Sequence, residues 1–246
     1  MRDILIVIPC YNEEEILKSS VEKLHEFCNE NLREYKWEIV IGDNASTDRT
    51  PIIGKELSKS LENVSYYYSP QKGRGHILRK IWTDFESKIY IYTDSDLSTP
   101  PTYISDMVKA LLRDNYDVAI GSRLLKNSKV AERTFFREII SRGYNKIIRF
   151  LFKVHFHDGQ CGFKGITQKI KDEIIPMVKD NYWFFDTELL ILSERHGYKI
   201  AEIPISWKDR ESKKSKVKVF KDSIYFLKEI KRLKSSFKNQ KREVRS

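Results

Sequence analysis

Two carboxylates, Asp94 and Asp96, flank Ser95 directly after the run Ile89-Tyr90-Ile91-Tyr92-Thr93 and before Leu97-Ser98-Thr99-Pro100-Pro101. A run of β-branched and aromatic residues predicts a buried strand, and open α/β sheets bind ligands at the carboxyl ends of their strands. Residues i and i+2 of an extended segment point the same way. Asp94 and Asp96 can therefore converge on one hard divalent cation, Mg²⁺ or Mn²⁺, which would in turn hold a diphosphate. Taken alone, the triplet also suits a solvated turn that caps the helix after Pro101. The neighbouring segments decide between these.

Three other predicted turns carry groups suited to a nucleotide. Pro9-Cys10-Tyr11-Asn12-Glu13-Glu14 follows the first apolar run; Tyr11 can stack on a base and Glu13 can accept from a ribose hydroxyl, or Asn12 and the glutamates can simply cap the next helix. Asp43-Asn44-Ala45-Ser46-Thr47-Asp48-Arg49-Thr50 follows the second, with Asp43 placed to accept from base or ribose and Asp48 to cap a helix beginning near Pro51. Gln71-Lys72-Gly73-Arg74-Gly75-His76 joins flexible backbone to the cations Lys72 and Arg74, a combination that suits phosphate and also occurs in surface turns. No Gly-x-Gly-x-x-Gly and no Walker lysine signature stands at the first turn, which speaks against a dinucleotide fingerprint and a nucleoside triphosphatase.

The elements that must position these groups are legible as a rhythm. Apolar runs 4–8, 37–41, 64–68, 89–93 and 118–120 alternate with amphipathic stretches 13–32, 51–61, 77–85 and 103–112. That is the pattern of βαβ units around a mostly parallel sheet, so the first 122 residues predict a Rossmann-like nucleotide-binding half of an α/β fold. Beyond it come a basic helix at 135–152, a glycine-containing turn at 158–165, helices near 168–178 and 186–196, and a strand at 199–205. No linker, internal repeat or low-complexity block interrupts the chain, so residues 1–218 read as one domain, followed by a basic amphipathic helix and tail at 219–246.

Composition narrows the partners. The 246 residues are enough for one full core, and 33% charged with 40% hydrophobic residues is the balance of a soluble globular protein. Cys10, Cys28 and Cys161 have no Cys-x-x-Cys spacing, which predicts neither a disulfide framework nor a thiolate metal site and fits a reducing compartment. The apolar run 4–8 is too short for a signal peptide, and no stretch approaches the ~20 apolar residues of a spanning helix, so a cytoplasmic location is expected. Net charge is +10, and from Lys208 to Ser246 there are 15 Lys or Arg against 5 Asp or Glu, so the whole excess lies in the tail. This suggests an anionic partner, either a membrane surface or nucleic acid. The neutral body argues against a large nucleic-acid footprint.

In order along the chain, Pro9-Cys10-Tyr11-Asn12-Glu13, Asp43-Asn44-Ala45-Ser46-Thr47-Asp48, Lys72-Gly73-Arg74-Gly75, Asp94-Ser95-Asp96 and Gly121-Ser122-Arg123 resemble the family 2 glycosyltransferases of the GT-A fold. Arg137, Asp158-Gly159-Gln160-Cys161-Gly162-Phe163-Lys164, Phe185-Asp186-Thr187-Glu188-Leu189-Leu190, Ala201 to Trp207 and Ser215-Lys216-Val217 extend the likeness to polyprenyl-phosphate hexosyltransferases, the dolichyl-phosphate β-glucosyltransferases most of all. The resemblance implies that Asp94 and Asp96 match the metal and diphosphate motif. It implies a nucleoside pocket of Pro9, Tyr11, Glu13 and Asp43, and an acceptor-phosphate pocket of Arg123, Arg137 and Ser141. Lys72, Arg74, Ser95, Gln160, Glu188, Arg210 and Lys216 would be further substrate contacts, and Asp96, Arg123 and Arg137 the catalytic set. The implied reaction is inverting transfer of a hexose from a nucleotide sugar, UDP-glucose first and GDP-mannose second, to a polyprenyl or dolichyl phosphate at the cytoplasmic membrane face. It would use Mg²⁺ or Mn²⁺.

The C-terminal stretch places Phe220, Ile224, Leu227 and Ile230 at helical spacing with lysines between, suited to a bilayer interface or to docking on the protein's own body. Within the resemblance, a family 2 glycosyltransferase acting on another acceptor, a glycan or a lipid, is the alternative, and two other readings stay open on the residues alone. One is a sugar-1-phosphate nucleotidyltransferase, which would normally show a glycine-rich first turn. The other is a non-enzymatic basic protein binding membranes or RNA through residues 208–246.

Overall fold

The computed structural model describes residues 1–132, 134–208 and 219–243, the last segment with side chains for 224–238. Its elements are β1 (Arg2–Cys10), α1 (Leu17–Asn31), β2 (Trp37–Asn44), α2 (Thr50–Ser60), β3 (Val64–Ser69), α3 (Arg74–Asp84), β4 (Ser87–Thr93), α4 (Tyr103–Leu112), β5 (Val118–Ser122), β6 (Lys129–Ala131), α5 (Phe135–Phe152), β7 (Phe163–Thr167), α6 (Gln168–Glu173), α7 (Phe185–Arg195), β8 (Ile200–Pro204), β9 (Ser206–Lys208) and α8 (Val219–Glu243). Pro176 stands where the helix predicted near 168–178 gives way to a 3₁₀ turn, Ile175–Met177.

Seven strands form one sheet in the order β3-β2-β1-β4-β7-β5-β8, and β6 pairs with β9 in a separate parallel ribbon. Every pairing in the large sheet is parallel except those of β7, which runs antiparallel to both β4 and β5. The α/β fold with a mostly parallel sheet is as the sequence predicts. The glycine-containing segment 158–165 is different: its second half is the start of β7, laid between β4 and β5, not a turn.

The central parallel strands β1, β2, β4 and β5 carry apolar runs because both sheet faces are covered there. Period-2 alternation sends Ile4, Ile6 and Ile8 to one face with Leu17, Val21 and Leu24 of α1, Leu57 of α2 and Ile104 and Met107 of α4. Leu5 and Val7 face the other way, with Ile77, Ile81 and Trp82 of α3, Ile148 of α5 and Leu189 and Leu190 of α7. Helix α8 joins that second layer through buried Ile230 and Leu233. Its docked stripe therefore runs through 226, 230, 233 and 237, while Ile224 and Leu227 of the predicted stripe stay exposed and Phe220 lies outside the described side chains. Among the described residues no helix is long and apolar enough to cross a membrane.

Candidate active site

β2 and β4 flank β1, so the strand order turns at β1 and opens a crevice at the carboxyl ends. Because Phe163 pairs with Thr93, β7 begins at the edge where β4 ends. Most of the predicted residues that the structure describes lie on the loops and strand ends around it.

The loops after β1 and β2 are tied into a single ledge. Asn12, in left-handed backbone at φ 53°, donates its amide to Ser46 Oγ (3.0 Å), and its Oδ1 accepts from Thr47 N (2.8 Å). Glu13 N donates to Thr50 Oγ1 (2.8 Å), and Arg49 N donates to Glu14 Oε2 (2.9 Å). Asp48 stands one residue before the N-cap of α2, Arg49, and its Oδ1 accepts from Thr50 N, the first residue of the helix, at 2.9 Å. Asp43 lies fully buried beneath the ledge, its oxygens accepting from Ser46 N (2.9 Å) and the Tyr66 hydroxyl (2.7 Å). Burial and the adjacent Asp43 charge raise the Tyr66 pKa, which keeps the hydroxyl a donor. Asp43 thus holds the ledge from below before it can hold a nucleoside.

Tyr11 and Lys72, 61 residues apart, meet across the crevice: Lys72 Nζ donates to the Tyr11 hydroxyl at 2.6 Å and lies 4.4 Å from its ring centroid. Gly73 is required between them and Arg74. It has φ 146°, its amide donates to Asn44 Oδ1 (2.7 Å), and a Cβ there would collide with the Asn181 carbonyl.

Arg74 enters the sheet edge from the first turn of α3. Its Nη2 donates to the Tyr92 hydroxyl (3.2 Å) and lies 3.4 Å from Asp94 Oδ1 and 3.6 Å from Asp186 Oδ2, between the rings of Tyr92 and Trp183. Fully buried Lys164 completes the cluster from β7, its Nζ 3.4 Å from Asp186 Oδ1 and bonded to the Cys161 carbonyl. Tyr92 donates to Asp186. Asp94 is the half-buried member, and its pKa is raised chiefly by desolvation and further by Asp96 and Asp186, against the pull of Arg74 and Arg123. Gly162 lets the backbone of the β7 approach pass the Asp94 carboxylate, where a Cβ would collide with it. Asp96 is oriented by its own turn: Oδ1 accepts from Ser98 N (2.9 Å) and Oδ2 from Ser98 Oγ (2.6 Å). Leu97 takes a left-handed φ of 48° to close it.

On the other side of Asp94, Arg123 follows β5 and grips fully buried Asp158 with a two-pronged fork, Nε to Oδ2 at 2.8 Å and Nη2 to Oδ1 at 2.9 Å. Burial would raise the Asp158 pKa, but the Arg123 charge and hydrogen bonds bring it down to about 2. The fork uses two of the guanidinium's five N–H donors, leaving the others for an anion. Trp207 lies under the fork at 5.5 Å. Gln160 and Ser141 belong to the same corner. Gln160 N donates to Asp158 Oδ1 (3.2 Å), and Asn145, one turn beyond Ser141 on α5, accepts from Gly159 N (2.8 Å). Ser141 Oγ is buried with no hydrogen-bond partner among the described residues. Arg137 stands one turn before it, half-buried, with its amide on the N-capping Thr134 Oγ1 (3.4 Å).

Glu188 is not brought to the crevice. Its Oε2 accepts from Asp180 N (2.9 Å) and pairs with Arg232 of α8 (2.9 Å). Its pKa is raised by burial. Arg210 and Lys216 lie outside the described residues. Sequence reasoning gave no role to Asp158, Asp186, Lys164 or Trp183. Lys164 and Asp186 could have been found as charged residues in otherwise apolar stretches, Cys161 to Ile166 and Phe184 to Leu192, whose burial demands a partner.

The donor set fits a divalent ion of the Mg²⁺ or Mn²⁺ kind, shared with a ligand. Among the described residues no group of three or more His, Cys, Asp or Glu side chains stands ready to hold a metal. Two neighbouring carboxylates, one of them destabilised as an anion by burial first and by like charges second, are what such an ion takes from protein when phosphate oxygens complete its shell.

Residues 5–175 match the sequence profile of glycosyl transferase family 2. Among curated proteins, the chain is 30% identical over 209 residues to glycosyltransferase AglD of Haloferax volcanii, covering 85% of this chain and 33% of that protein. It is 28% identical over 244 residues to the dolichyl-phosphate beta-glucosyltransferase of Saccharomyces cerevisiae, covering 92% of this chain and 72% of that one. The chain therefore spans a third of the first relative's length. Among solved structures, glucosyl-3-phosphoglycerate synthase from Mycobacterium tuberculosis in complex with Mn²⁺ and UDP-glucose superposes with a TM-score of 0.63 at 16% identity, covering 87% of this chain and 73% of that one. At that identity the likeness is one of fold.

Proposed function

The chain belongs to glycosyl transferase family 2, and from that premise we propose that it moves a hexose from a nucleotide sugar, UDP-glucose first and GDP-mannose second, to a polyprenyl or dolichyl phosphate. The observation that carries the reading is the corner in which Asp94 stands between Arg74 and the Arg123–Asp158 pair, with the unpartnered Ser141 hydroxyl on the helix beyond. Carboxylates there suit a cation on the donor side, and the cations and hydroxyl on the far side suit a second phosphate.

In this reading Tyr11, Glu13, Pro9 and Asp43 frame the nucleoside, Lys72 and Arg74 face the diphosphate, and Asp94, Ser95 and Asp96 stand at the bond that breaks. A Mg²⁺ or Mn²⁺ ion held by Asp94 and Asp96 would supply a Lewis acid against the charge that develops on the leaving diphosphate. Arg123, Arg137 and Ser141 bind the acceptor phosphate, and Gln160 lines the same corner. One phosphate oxygen attacks the anomeric carbon from the side opposite the nucleoside diphosphate; the new C–O bond forms as the old one breaks, inverting the centre. The acceptor is already an anion, so positioning by cations matters more here than a strong general base. Arg123 suits this because Asp158 fixes its plane, as an unpaired arginine would not be fixed. A dolichyl-phosphate acceptor agrees with the name of the yeast relative, and work at the cytoplasmic membrane face would set the basic tail against lipid headgroups.

The test is the purified protein offered radiolabelled nucleotide sugars with dolichyl phosphate and Mn²⁺. We expect label from UDP-glucose in the lipid phase, abolished by excess chelator. Asp96→Ala should cost several powers of ten with an unchanged circular dichroism spectrum, because the group is oriented by its own turn and supports no core. Full activity in Asp96→Ala, or in chelator, would overturn the metal assignment; lipid-phase label from no sugar would overturn the reaction.

A further inference from the structure

Helix α5 is inverted with respect to water. Its inward face is partly polar, with Ser141 and Asn145 buried beside Ile148 and Phe152. Its outward arc carries Phe135, Phe136, Ile139, Ile140, Ile147 and Phe150, and the two end rings, Phe135 at 80% and Phe150 at 83%, are almost wholly exposed. Scattered apolar residues on a surface need no explanation, but six on one face of an 18-residue helix make a contiguous patch of the kind that marks an interaction site. At 100° per residue, Arg142, Lys146 and Arg149 fall along one border of the arc, and Gly143 lies at its centre, where an added Cβ would meet nothing within 4 Å.

We infer that this face of α5 docks into the interface of an anionic lipid bilayer. Aromatic and branched apolar side chains that enter the acyl boundary, bordered by cations that reach the headgroups, are what an interfacial helix needs. Charge selects this occupant over a second copy of the chain. An antiparallel two-fold contact would set the Arg142, Lys146 and Arg149 border against the same border of the second copy, with Arg142 already paired to Glu138 (2.6 Å), whereas anionic headgroups neutralise the cations of this border. The docked face also has a consequence for the crevice. The opposite side of α5 carries Ser141, and its Asn145 holds Gly159, next to the Asp158 that grips Arg123. A bilayer on the outer face would therefore place the acceptor corner one helix diameter from the headgroups. That last consequence rests on the lipid-phosphate reading; the docking does not.

The experiment uses the full chain and vesicles of phosphatidylcholine with or without phosphatidylserine. Wild-type protein should sediment with the anionic vesicles. Phe136→Ser with Phe150→Ser should weaken this about tenfold or more. Arg142→Glu with Lys146→Glu should abolish the preference for phosphatidylserine. Ile52→Ser, at an exposed apolar residue on α2, should change neither. Independently of any loss of folding, Gly143→Cys can carry an environment-sensitive fluorophore, since Cys10, Cys28 and Cys161 are all buried. Its emission should shift to the blue on vesicles. Undiminished sedimentation of the double Phe variant, or an unshifted probe, overturns the docking; so does a wild type that ignores vesicles but falls from dimer to monomer in the Phe variant. Turnover of a short water-soluble prenyl phosphate by the double Phe variant should match wild type, so a failed activity reading and a failed docking give different results.

Discussion

The Arg123–Asp158 pair shows how a candidate site residue can be legible in the sequence while its partner is hidden. The sequence offers Arg123 as a cation after a strand; the structure shows it committed to a carboxylate that is itself fully buried. The pair fixes a testable pH dependence. The folded pKa of Asp158, about 2, lies below the ordinary 3.8, so the group's contribution is fully present above pH 4 and is lost as pH falls toward 2. It is worth on the order of 2 kcal/mol. Asp158→Asn should flatten the acid limb of a stability profile between those pH values, and at neutral pH should cost about 3 to 5 kcal/mol because Arg123 is left buried and uncompensated. Denaturant unfolding across pH measures both. An acid limb as steep as that of wild type would contradict the assignment. What the sequence shows at this scale is the residue that meets solvent, such as Asp94 or Lys72. What it hides is the partner: Asp158, Asp186 and Lys164 lie 22 to 112 residues from the side chains they hold.

At the scale of elements, period and composition reveal β1 to β5, because strands covered on both faces must be nearly continuous in Val, Ile and Tyr. β7 escapes such reading. Its sequence, Phe163-Lys164-Gly165-Ile166-Thr167, holds a lysine and a glycine and is only five residues long. Both residues are there for the sheet's own reasons. Lys164 lies under the site with its charge on Asp186, and Gly165 leaves room for Leu111 and Met107 of α4. The antiparallel insertion brings the 158–162 segment to the carboxyl edge, and Gly162 is where the approach is tightest. We expect Gly162→Ala to displace the Asp94 carboxylate and lower turnover by on the order of 100-fold, the cost of a misplacement of about an ångström, with a much smaller fall in melting temperature. Gly143→Ala, where a Cβ meets nothing, should leave turnover unchanged and stabilise α5 by about 0.5 to 1 kcal/mol. Equal turnover in the two variants would mean that the close approach does not matter.

For the molecule as a whole, the C-terminal helix decides how the basic tail can be tested. Charge counting alone treats residues 219–246 as an appendage, because lysine spacing says nothing about which side of a helix is docked. The structure shows α8 embedded in the second core layer. Ile230 and Leu233 are buried, Phe226 packs on Tyr144 of α5 and on Phe184, Tyr225 donates to Asp180, and Arg232 neutralises buried Glu188. A chain ended after Lys218 would therefore lose two buried aliphatic side chains at roughly 2 to 5 kcal/mol each and leave the Glu188 carboxylate uncompensated. Against a total stability of about 5 to 15 kcal/mol, that is enough to unfold the domain. We expect the shortened chain to give no cooperative urea transition and to lose nucleotide binding along with everything else. A cooperative transition near the wild-type midpoint would show α8 to be dispensable. The charge itself is better tested in place. Lys228, Lys231, Lys234 and Lys238 are exposed on α8, and reversing three of them to Glu should shift stability by no more than about 0.5 kcal/mol each. Any attraction of α8 to anionic vesicles is screened over roughly 8 Å at physiological ionic strength, so it should vanish with salt, while contact through the phenylalanines of α5 should persist. Sedimentation of the reversed-charge protein at low and high salt thus separates the two surfaces: binding lost at low salt in the Lys→Glu chain assigns the attraction to the tail, and binding that survives high salt in both chains assigns the hold to α5.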